Sequence, residues 1–235
     1  LLYEAAVMGG TPAVKMLREG LVGDEVESVA GILNGTCNFI LSEMEAKGSP
    51  FAEVLSEAQR LGYAEADPTM DVGGYDAAHK ITLLAALAFG AAPDYASAEI
   101  EGVDKVAPLD IRMARDLGYR IKLLGITRRR DEGIELRVHP TLVPAKRLIA
   151  NVEGAMNAVV VNGDAVGTTL YYGKGAGAEP TASAVVADLV DIARLHTADP
   201  DHRVPHLAFQ PGQMRDVGVL PMDRVITSCY LRLRV

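Results

Sequence analysis

The apolar positions of this chain follow two periods, and each period predicts a different kind of element. Segments with an apolar residue at every third or fourth position, bounded by Pro, Ser, Asn or Gly, predict six helices. These helices cover residues 12–21, 36–47, 49–61, 75–89, 110–117 and 182–195. One alternating segment rich in valine, and two pairs of short apolar segments separated by turns, predict five strands. The strands cover residues 24–33, 119–127, 134–140, 157–161 and 167–172, and the last four form two hairpins.

Two features of this pattern bear on the fold. The stretch from Ile81 to Phe89 is almost wholly apolar, which predicts a helix buried nearly all round. Helices mixed with hairpins predict an α+β fold with a mixed or antiparallel sheet, helices on one face and a sheet that joins that of a second subunit. Residues 1–195 carry all of these elements, and residues 196–226, which begin with a proline-rich stretch, are predicted to form a linker.

The composition is that of an acidic globular protein. The 235 residues are 49% hydrophobic and carry a formal net charge of −8. This suits a packed core and argues against binding to nucleic acid or to an anionic membrane surface, both of which need a basic patch. No apolar stretch approaches the ~18 residues of a membrane span. Two cysteines provide neither a disulfide framework nor a zinc site, which points to a reducing cytosol.

The most informative motif is GYAEADPTMDVGGYDAAHK at residues 62–80. It contains several carboxylates, and Asp76 stands four positions before Lys80, so a helix would place both on one face. A lysine at the start of a buried helix is costly unless it is paired or has a chemical role, which makes Lys80 a candidate proton donor. The alternative is a surface ion pair worth ~0.3–0.5 kcal/mol.

Four segments resemble, in order, the substrate-binding region of homoserine dehydrogenases. They are EAAV at 4–7, GILNGTCNFI at 31–40, the motif at 62–80 and GKGAGAEPTA at 173–182. The resemblance covers residues 1–195, and the motif at 62–80 is its most specific part. The tail at 227–235 resembles the first strand of the regulatory ACT domain that many bacterial members carry.

The resemblance implies NAD(P)-dependent interconversion of L-aspartate 4-semialdehyde and L-homoserine, a step toward threonine, methionine and isoleucine, by a cytoplasmic homodimer or homotetramer. The family's N-terminal dinucleotide-binding domain is not found, because no strand followed by Gly-x-Gly-x-x-Gly occurs in the chain. These residues alone are therefore expected to be inactive. Two alternatives remain open: the catalytic domain of another amino-acid or semialdehyde dehydrogenase, and a non-enzymatic dimerisation module.

The resemblance also implies roles for single residues in catalysis and substrate binding. Lys80 would protonate the alkoxide that hydride transfer creates, and Asp76 would keep the lysine charged and oriented. Glu65 and Asp71 would hold the ammonium and hydroxyl ends of the substrate, unless they are ordinary loop acids. The other implied contacts are Tyr63, which would line the pocket, and Gly35 and Thr36, which would meet the substrate carboxylate. The alternative is that Asn34, Gly35 and Thr36 serve only as the turn and cap of a helix.

Two glycine-rich segments are implied to bind the cofactor and a cation. Gly175 and Gly177 would approach the nicotinamide end of NAD(P), although the same loop would also serve as a tight turn from strand to helix. Backbone carbonyls of an N-terminal loop would ligate a sodium ion, and the plain alternative is a turn at Gly9. The residues of this implied sodium loop are Glu4, Val7, Gly9 and Thr11.

Overall fold

The framework of the protein is one mixed six-stranded sheet, in a computed structural model that describes residues 1–196 and 203–233. In chain order the strands are β1 (Val26–Ile32), β2 (Glu99–Ile100), β3 (Tyr119–Arg130), β4 (Gly133–Pro144), β5 (Met156–Gly163) and β6 (Thr168–Lys174). Their order across the sheet is β2-β4-β3-β1-β5-β6. Neighbouring strands are antiparallel, except that β2 and β4 are parallel. The predicted α+β class with a mixed sheet is confirmed.

The helices of the described residues follow the predicted order. They are α1 (Ala13–Lys15), α2 (Gly35–Lys47), α3 (Phe51–Arg60), α4 (Thr69–Val72), α5 (Tyr75–Phe89), α6 (Pro108–Asp116) and α7 (Ala178–Leu195). The pattern did not predict α4 and β2, because elements of four and two residues are shorter than the window in which a period can be recognised. Among the described helices, none combines the length and the apolar character needed to cross a membrane.

Close contact between α5 and the middle of the sheet depends on small residues. β1 pairs on both sides, with Gly31 opposite Gly125 of β3 and Val159 of β5. A Cβ on Gly125 would lie only 3.0 Å from the Cβ of Ile81 in α5. Glycine at this position therefore lets the buried helix lie directly on β3.

The helices pack on one face of the sheet, as predicted. α5 lies against β1, β3 and β4, while α2 packs against β3 and β5. Alternate strand residues, such as Val29, Leu123 and Val159, meet these helices in the main core. The opposite face carries a second apolar cluster, which in the described residues is completed by the 3-10 turn Leu148–Asn151 and Val152. Its strand members are Ile32, Leu124, Ile126, Val143 and Ala158.

A buried lysine fastens a loop to α2. Lys122 of β3 is only 1% exposed, and its Nζ donates to the Val152 carbonyl at 2.6 Å and to Oδ1 of Asn38 at 3.2 Å. The amide of Asn38 in turn donates to the carbonyls of Val152, Gly154 and Met156. Burial lowers the pKa of Lys122 from its ordinary value of 10.5 to about 8.

This lowered pKa predicts a particular pH dependence of stability. Between pH 8 and 10.5 the unfolded chain binds more protons at Lys122 than the folded chain, so the wild type gains free energy of unfolding as pH rises through this window. The variant Lys122→Met lacks that gain. The free energy of unfolding is measured by urea unfolding followed by circular dichroism. The value for the wild type minus that for the variant should increase by about 2 kcal/mol between about pH 7 and about pH 9.5. An advantage that stays constant over this range would contradict the assignment.

Part of the predicted linker, residues 203–226, forms hydrogen bonds with the core of the protein. Residues 203–226 contain no α-helix among those described, but they bond to the sheet and to the end of α5. The Arg215 amide donates to the Gly90 carbonyl at 2.8 Å, and the Ile134 amide donates to the Gly218 carbonyl at 3.0 Å. Isolated backbone hydrogen bonds do not require a periodic arrangement of apolar residues. The hydrophobic pattern therefore did not predict these contacts.

The predicted domain boundaries remain predictions. Helix α7 ends at Leu195, next to the start of the predicted linker at residue 196. Residues 197–202 of that linker and residues 234–235 of the predicted ACT strand lie outside the described residues. Residues 227–233 form no strand in the part of the tail that the structure describes.

Candidate active site

The candidate site forms where β1 ends and where α2 and α5 begin. Asn34, two residues after the last residue of β1, is the N-cap of α2, and its Oδ1 accepts the backbone N–H of Cys37 at 2.8 Å. Helix α5 begins after Gly74, whose φ of +84° is a conformation that favours glycine. This start places Asp76 in the first turn of α5 and Lys80 one turn later.

The ion pair predicted from the spacing is confirmed. Nζ of Lys80 lies 2.7 Å from Oδ2 of Asp76 and also donates to the Leu33 carbonyl at 3.1 Å. The Lys80 side chain is 21% exposed, so the ammonium lies at the edge of the buried helix and is held by two acceptors rather than extended into solvent. A lysine in this position remains accessible to a ligand that enters from the surface.

Asn34 is a polar member of the site that the sequence interpretation assigned only to a turn and cap. Its Nδ2 donates to Oδ1 of Asp71 at 2.6 Å and to Oδ2 of Asp76 at 2.9 Å. One amide therefore joins the two carboxylates and fixes them beside Lys80. The sequence places Asn34 directly after a predicted strand and before a predicted helix. A role as helix cap already explains an asparagine at that position, so nothing further indicated a role in the site.

Asp71 is carried by a helical turn rather than by the predicted loop. Asp71 belongs to α4, and its backbone carbonyl accepts a hydrogen bond from the Cys37 thiol, with 3.1 Å between Sγ and the carbonyl oxygen. Because burial raises the pKa of Cys37, this thiol stays protonated and remains a donor. Asp67 accepts hydrogen bonds from the amide and hydroxyl of Thr69 and closes the turn before α4.

The other predicted substrate residues lie around the C-terminal end of α3. The Thr36 hydroxyl donates to the Tyr63 carbonyl at 2.7 Å. Tyr63 is 46% exposed, and its ring packs against that of Phe39 with a centroid distance of 4.5 Å. Glu65 is exposed, and its carboxylate forms no hydrogen bond or ion pair within the described part of the chain. Its side chain is therefore available to an external partner.

The glycine-rich loop packs tightly against the N-terminal loop. The Gly10 amide donates to the Lys174 carbonyl at 3.1 Å, and a Cβ on Gly9 would lie 2.5 Å from the Gly175 carbonyl oxygen. A Cβ on Gly175 would itself lie 2.0 Å from Oδ1 of Asn157. Gly177, with φ of +117°, starts α7. Glycine is required here for close backbone approach, which is also what a loop that receives a ligand needs.

The implied cation loop is only partly arranged for an ion. The Glu4 side chain is occupied, because its two oxygens accept the amides of Val14 at 3.0 Å and Lys15 at 2.8 Å. Burial raises the pKa of this carboxyl. The Thr11 hydroxyl is buried without a hydrogen bond in the described residues. No group of three or more His, Cys, Asp or Glu side chains in the described ranges could hold a metal.

The arrangement can perform proton transfer at an oxygen. A lysine ammonium held by Asp76 and by a carbonyl can stabilise negative charge that develops on a substrate oxygen and can supply a proton to it. Asp71 and the unpaired Glu65 can accept hydrogen bonds from cationic or hydroxyl groups of a small ligand. The recorded contacts join Asp71, Asp76, Asn34 and Lys80, whereas none in the described residues joins the Glu65 carboxylate to that group.

Comparison with known proteins identifies relatives over almost the whole chain. A family model described as homoserine dehydrogenase matches residues 12–190. A homoserine dehydrogenase of Neisseria gonorrhoeae is 63% identical over 232 residues, which make up 99% of this chain and 53% of that protein. The chain spans about half the length of the curated relatives it matches.

Solved structures show the same fold. The crystal structure of a homoserine dehydrogenase from Thiobacillus denitrificans matches with a TM-score of 0.92 and 67% identity, over 95% of this chain and 52% of that one. A hyperthermophilic archaeal homoserine dehydrogenase mutant, solved in complex with NADPH, matches with a TM-score of 0.71 and 29% identity, over 86% of this chain and 57% of that one.

Proposed function

Because the chain belongs to the homoserine dehydrogenase family, we propose that it is the catalytic and substrate-binding part of an enzyme that interconverts L-aspartate 4-semialdehyde and L-homoserine with NAD(P), on the route to threonine, methionine and isoleucine. The observation that carries this proposal is the group at the end of β1. There Lys80 lies 2.7 Å from Asp76, and Asn34 joins Asp76 to Asp71.

The proposed mechanism uses Lys80 as the acid. NAD(P), when bound, supplies or accepts the hydride at the carbon that changes between aldehyde and alcohol. Reduction places negative charge on the substrate oxygen, and the Lys80 ammonium stabilises this charge and then gives up a proton. Asp76 and the Leu33 carbonyl hold Nζ in place during the transfer. In the oxidative direction the neutral amine takes the hydroxyl proton.

Substrate binding is proposed to divide among the charged ends of the molecule. Glu65 and Asp71 accept hydrogen bonds from the ammonium and hydroxyl groups, and Tyr63 forms part of the pocket wall. The carboxylate meets the first turn of α2 at Gly35 and Thr36, where free backbone N–H groups favour an anion. The Thr36 hydroxyl already donates to Tyr63, so the contribution of Thr36 comes mainly from its backbone.

Cofactor binding is proposed at the glycine-rich loop. Gly175 and Gly177 leave no side chain between the backbone and a flat ring, which fits the nicotinamide end of NAD(P). The complex of the archaeal relative with NADPH supports this class of cofactor. A sodium ion bound by the carbonyls of the N-terminal loop remains a prediction. Replacing sodium by potassium or lithium in the assay tests it, and equal rates would argue against it.

An exposed apolar face on α7 marks where the rest of the protein is expected to pack. Val185, Val186, Leu189 and Ile192 are each at least 46% exposed. Relatives are about twice as long as this chain, and we propose that their dinucleotide-binding part covers this face. Hydrogen exchange tests the contact: amides of α7 should exchange more slowly in the full-length protein than in residues 1–235 alone.

The second apolar cluster is the proposed dimer interface. Its members Leu124 and Ile126 on β3 are themselves buried, and the partly buried Met156, Val160 and Leu170 of β5 and β6 leave apolar surface beside them in the described residues. Two such faces would cover each other in a homodimer, and two homodimers would associate in a homotetramer. The variant Val160→Asp, which places a charge at a partly buried position of this face, should sediment as a smaller species than the wild type. A wild type that sediments as a monomer would contradict the proposal, as would a variant of unchanged mass.

The decisive test of function is an assay of the full-length protein. It should oxidise L-homoserine with NAD⁺ or NADP⁺, as followed by absorbance of the reduced cofactor, whereas residues 1–235 alone should not. Faster turnover of a different amino alcohol or aldehyde would favour another dehydrogenase. A stable dimer without turnover on any of these substrates would favour a non-enzymatic dimerisation module. We propose a cytoplasmic location, which fits a biosynthetic enzyme of this family and is tested by fractionation.

A further inference from the structure

Asn157, at the start of β5, is a buried polar residue beside the catalytic group. Ala158 pairs with Ile32 at the end of β1, so Asn157 lies across from Leu33. The Leu33 carbonyl accepts a hydrogen bond from the Lys80 ammonium. Asn157 is therefore part of the wall next to the catalytic lysine, although only 2% of it is exposed.

The side-chain amide of Asn157 lies between the two backbone segments that flank the site. A Cβ on Gly175 would lie 2.0 Å from its Oδ1 and 2.8 Å from its Nδ2, and a Cβ on Gly35 would lie 3.3 Å from its Oδ1. Glycine at both positions is what allows the backbone to come so close. The amide thus occupies the junction between the glycine-rich loop and the first turn of α2.

This amide forms no hydrogen bond among residues 1–196 and 203–233. Other asparagines near it are well bonded. Asn38 donates to three carbonyls, and Asn162, near the far end of the same strand, bonds to Ser28 at 2.9 Å and to Thr168 at 2.6 Å. The two amide atoms of Asn157 are not fully enclosed, because they are not among the buried side-chain atoms that lack a partner in the described residues. An amide that reaches the surface at the edge of a ligand site, with no partner of its own, is free to bond a ligand.

We propose that Asn157 hydrogen-bonds the carboxamide of the nicotinamide ring and so positions that ring beside Lys80. The inference rests on the proposed function, in which the glycine-rich loop receives the nicotinamide end of NAD(P). A carboxamide offers one acceptor and one donor group, which match the donor and acceptor of an asparagine amide. The substrate's ends are charged, and carboxylates and a helix N-terminus are already placed to meet them. The neutral amide of Asn157 therefore suits the neutral carboxamide of the nicotinamide better than the charged ends of the substrate.

Cofactor binding to the full-length protein separates this role from a structural one. The variant Asn157→Ala should raise the Kd of NADPH, or of NADH if that is the cofactor, by about tenfold, the effect of one lost hydrogen bond. The Kd of the matching fragment without nicotinamide, phospho-ADP-ribose or ADP-ribose, should change by less than about twofold. Isothermal titration calorimetry measures both. Without ligand, the melting temperature of the variant should stay within about 3 °C of the wild type, since no hydrogen bond is lost.

The matched control is Asn162→Ala on the same strand. It removes bonded contacts to Ser28 and Thr168, so it should lower the melting temperature and leave both Kd values unchanged. The inference is overturned if Asn157→Ala binds the reduced cofactor as tightly as the wild type, or if the fragment without nicotinamide weakens equally. It is also overturned if only the KM of homoserine rises, since Asn157 would then face the substrate.

Failure of this inference is distinguishable from failure of the proposed function. A wild-type protein that shows no homoserine oxidation contradicts the function itself. A wild type that turns over, with cofactor affinity unaffected by Asn157→Ala, contradicts only the role of Asn157. If the alanine variant does not fold, Asn157→Ser keeps a small polar side chain in the same space and is measured against the same pair of ligands.

Discussion

Replacing Lys80 with alanine in the full-length protein is expected to lower kcat for homoserine oxidation by about a thousandfold. The ammonium is proposed to stabilise the charge on the reacting oxygen and to move its proton, and an alanine does neither. The KM of homoserine should change far less, because its ammonium and carboxylate ends are bound elsewhere. Steady-state kinetics with reduced-cofactor absorbance measures both constants, and circular dichroism confirms that the variant is folded.

The matched control for this experiment is Lys47→Ala. Lys47 forms an ion pair with Glu43 at the same i,i+4 spacing and with an N–O distance of 2.5 Å, but its side chain is 56% exposed on α2. If spacing alone explained the effect of Lys80, both variants would behave alike. We expect Lys47→Ala to keep wild-type kcat. A folded Lys80→Ala enzyme that retained more than about a tenth of the activity would contradict the proposed chemistry.

Replacing Asp76 with asparagine is expected to reduce kcat by about a hundredfold, or about 2.7 kcal/mol in activation free energy. The shape of the side chain is kept, while the charge that lies 2.7 Å from Nζ is lost. Lys80 then loses the partner that holds its ammonium charged and in place. The measurement is again kcat, with the Kd of the cofactor as a check that binding remains intact.

The double variant shows whether the two residues act together. Because Asp76 is proposed to act through Lys80, Asp76→Asn in a Lys80→Ala background should cause little further loss. Glu43→Gln, which breaks the exposed pair with Lys47, is the matched control and should be neutral. Additive losses in the double variant would show that Asp76 has a separate role, such as direct contact with the substrate.

Much of the fold was predictable because long elements repeat a period many times. The helix at 75–89 was predicted with its observed bounds, since the residues after Lys80 are apolar except for Thr82 and Gly74 and Gly90 limit the helix on both sides. The hairpin of β3 and β4 was also predicted, although each strand is longer than its alternating segment. Pairing with the neighbouring strand extends the strands beyond the pattern that the sequence shows.

Short elements and single polar residues were not predictable in the same way. Helix α4 has four residues, so the turn that carries Asp71 was expected to be a loop. Asn34 was interpreted only as a cap, although its amide also joins two acids from a different part of the chain. Asn157 gave no signal at all, because an asparagine at the start of a strand has no pattern that indicates a ligand.

The sequence by itself determined the α+β class, the order of the main helices and hairpins, and the pairing of Lys80 with Asp76, because these depend on neighbours within a few positions of the chain. Only the tertiary structure decided that Asn34 joins Asp71 to Asp76, that Gly175 lies against Asn157, and that a second apolar cluster forms on the face of the sheet opposite α5. Such contacts join residues that are well separated along the chain, and they exist only once strand order and helix packing have brought those residues together.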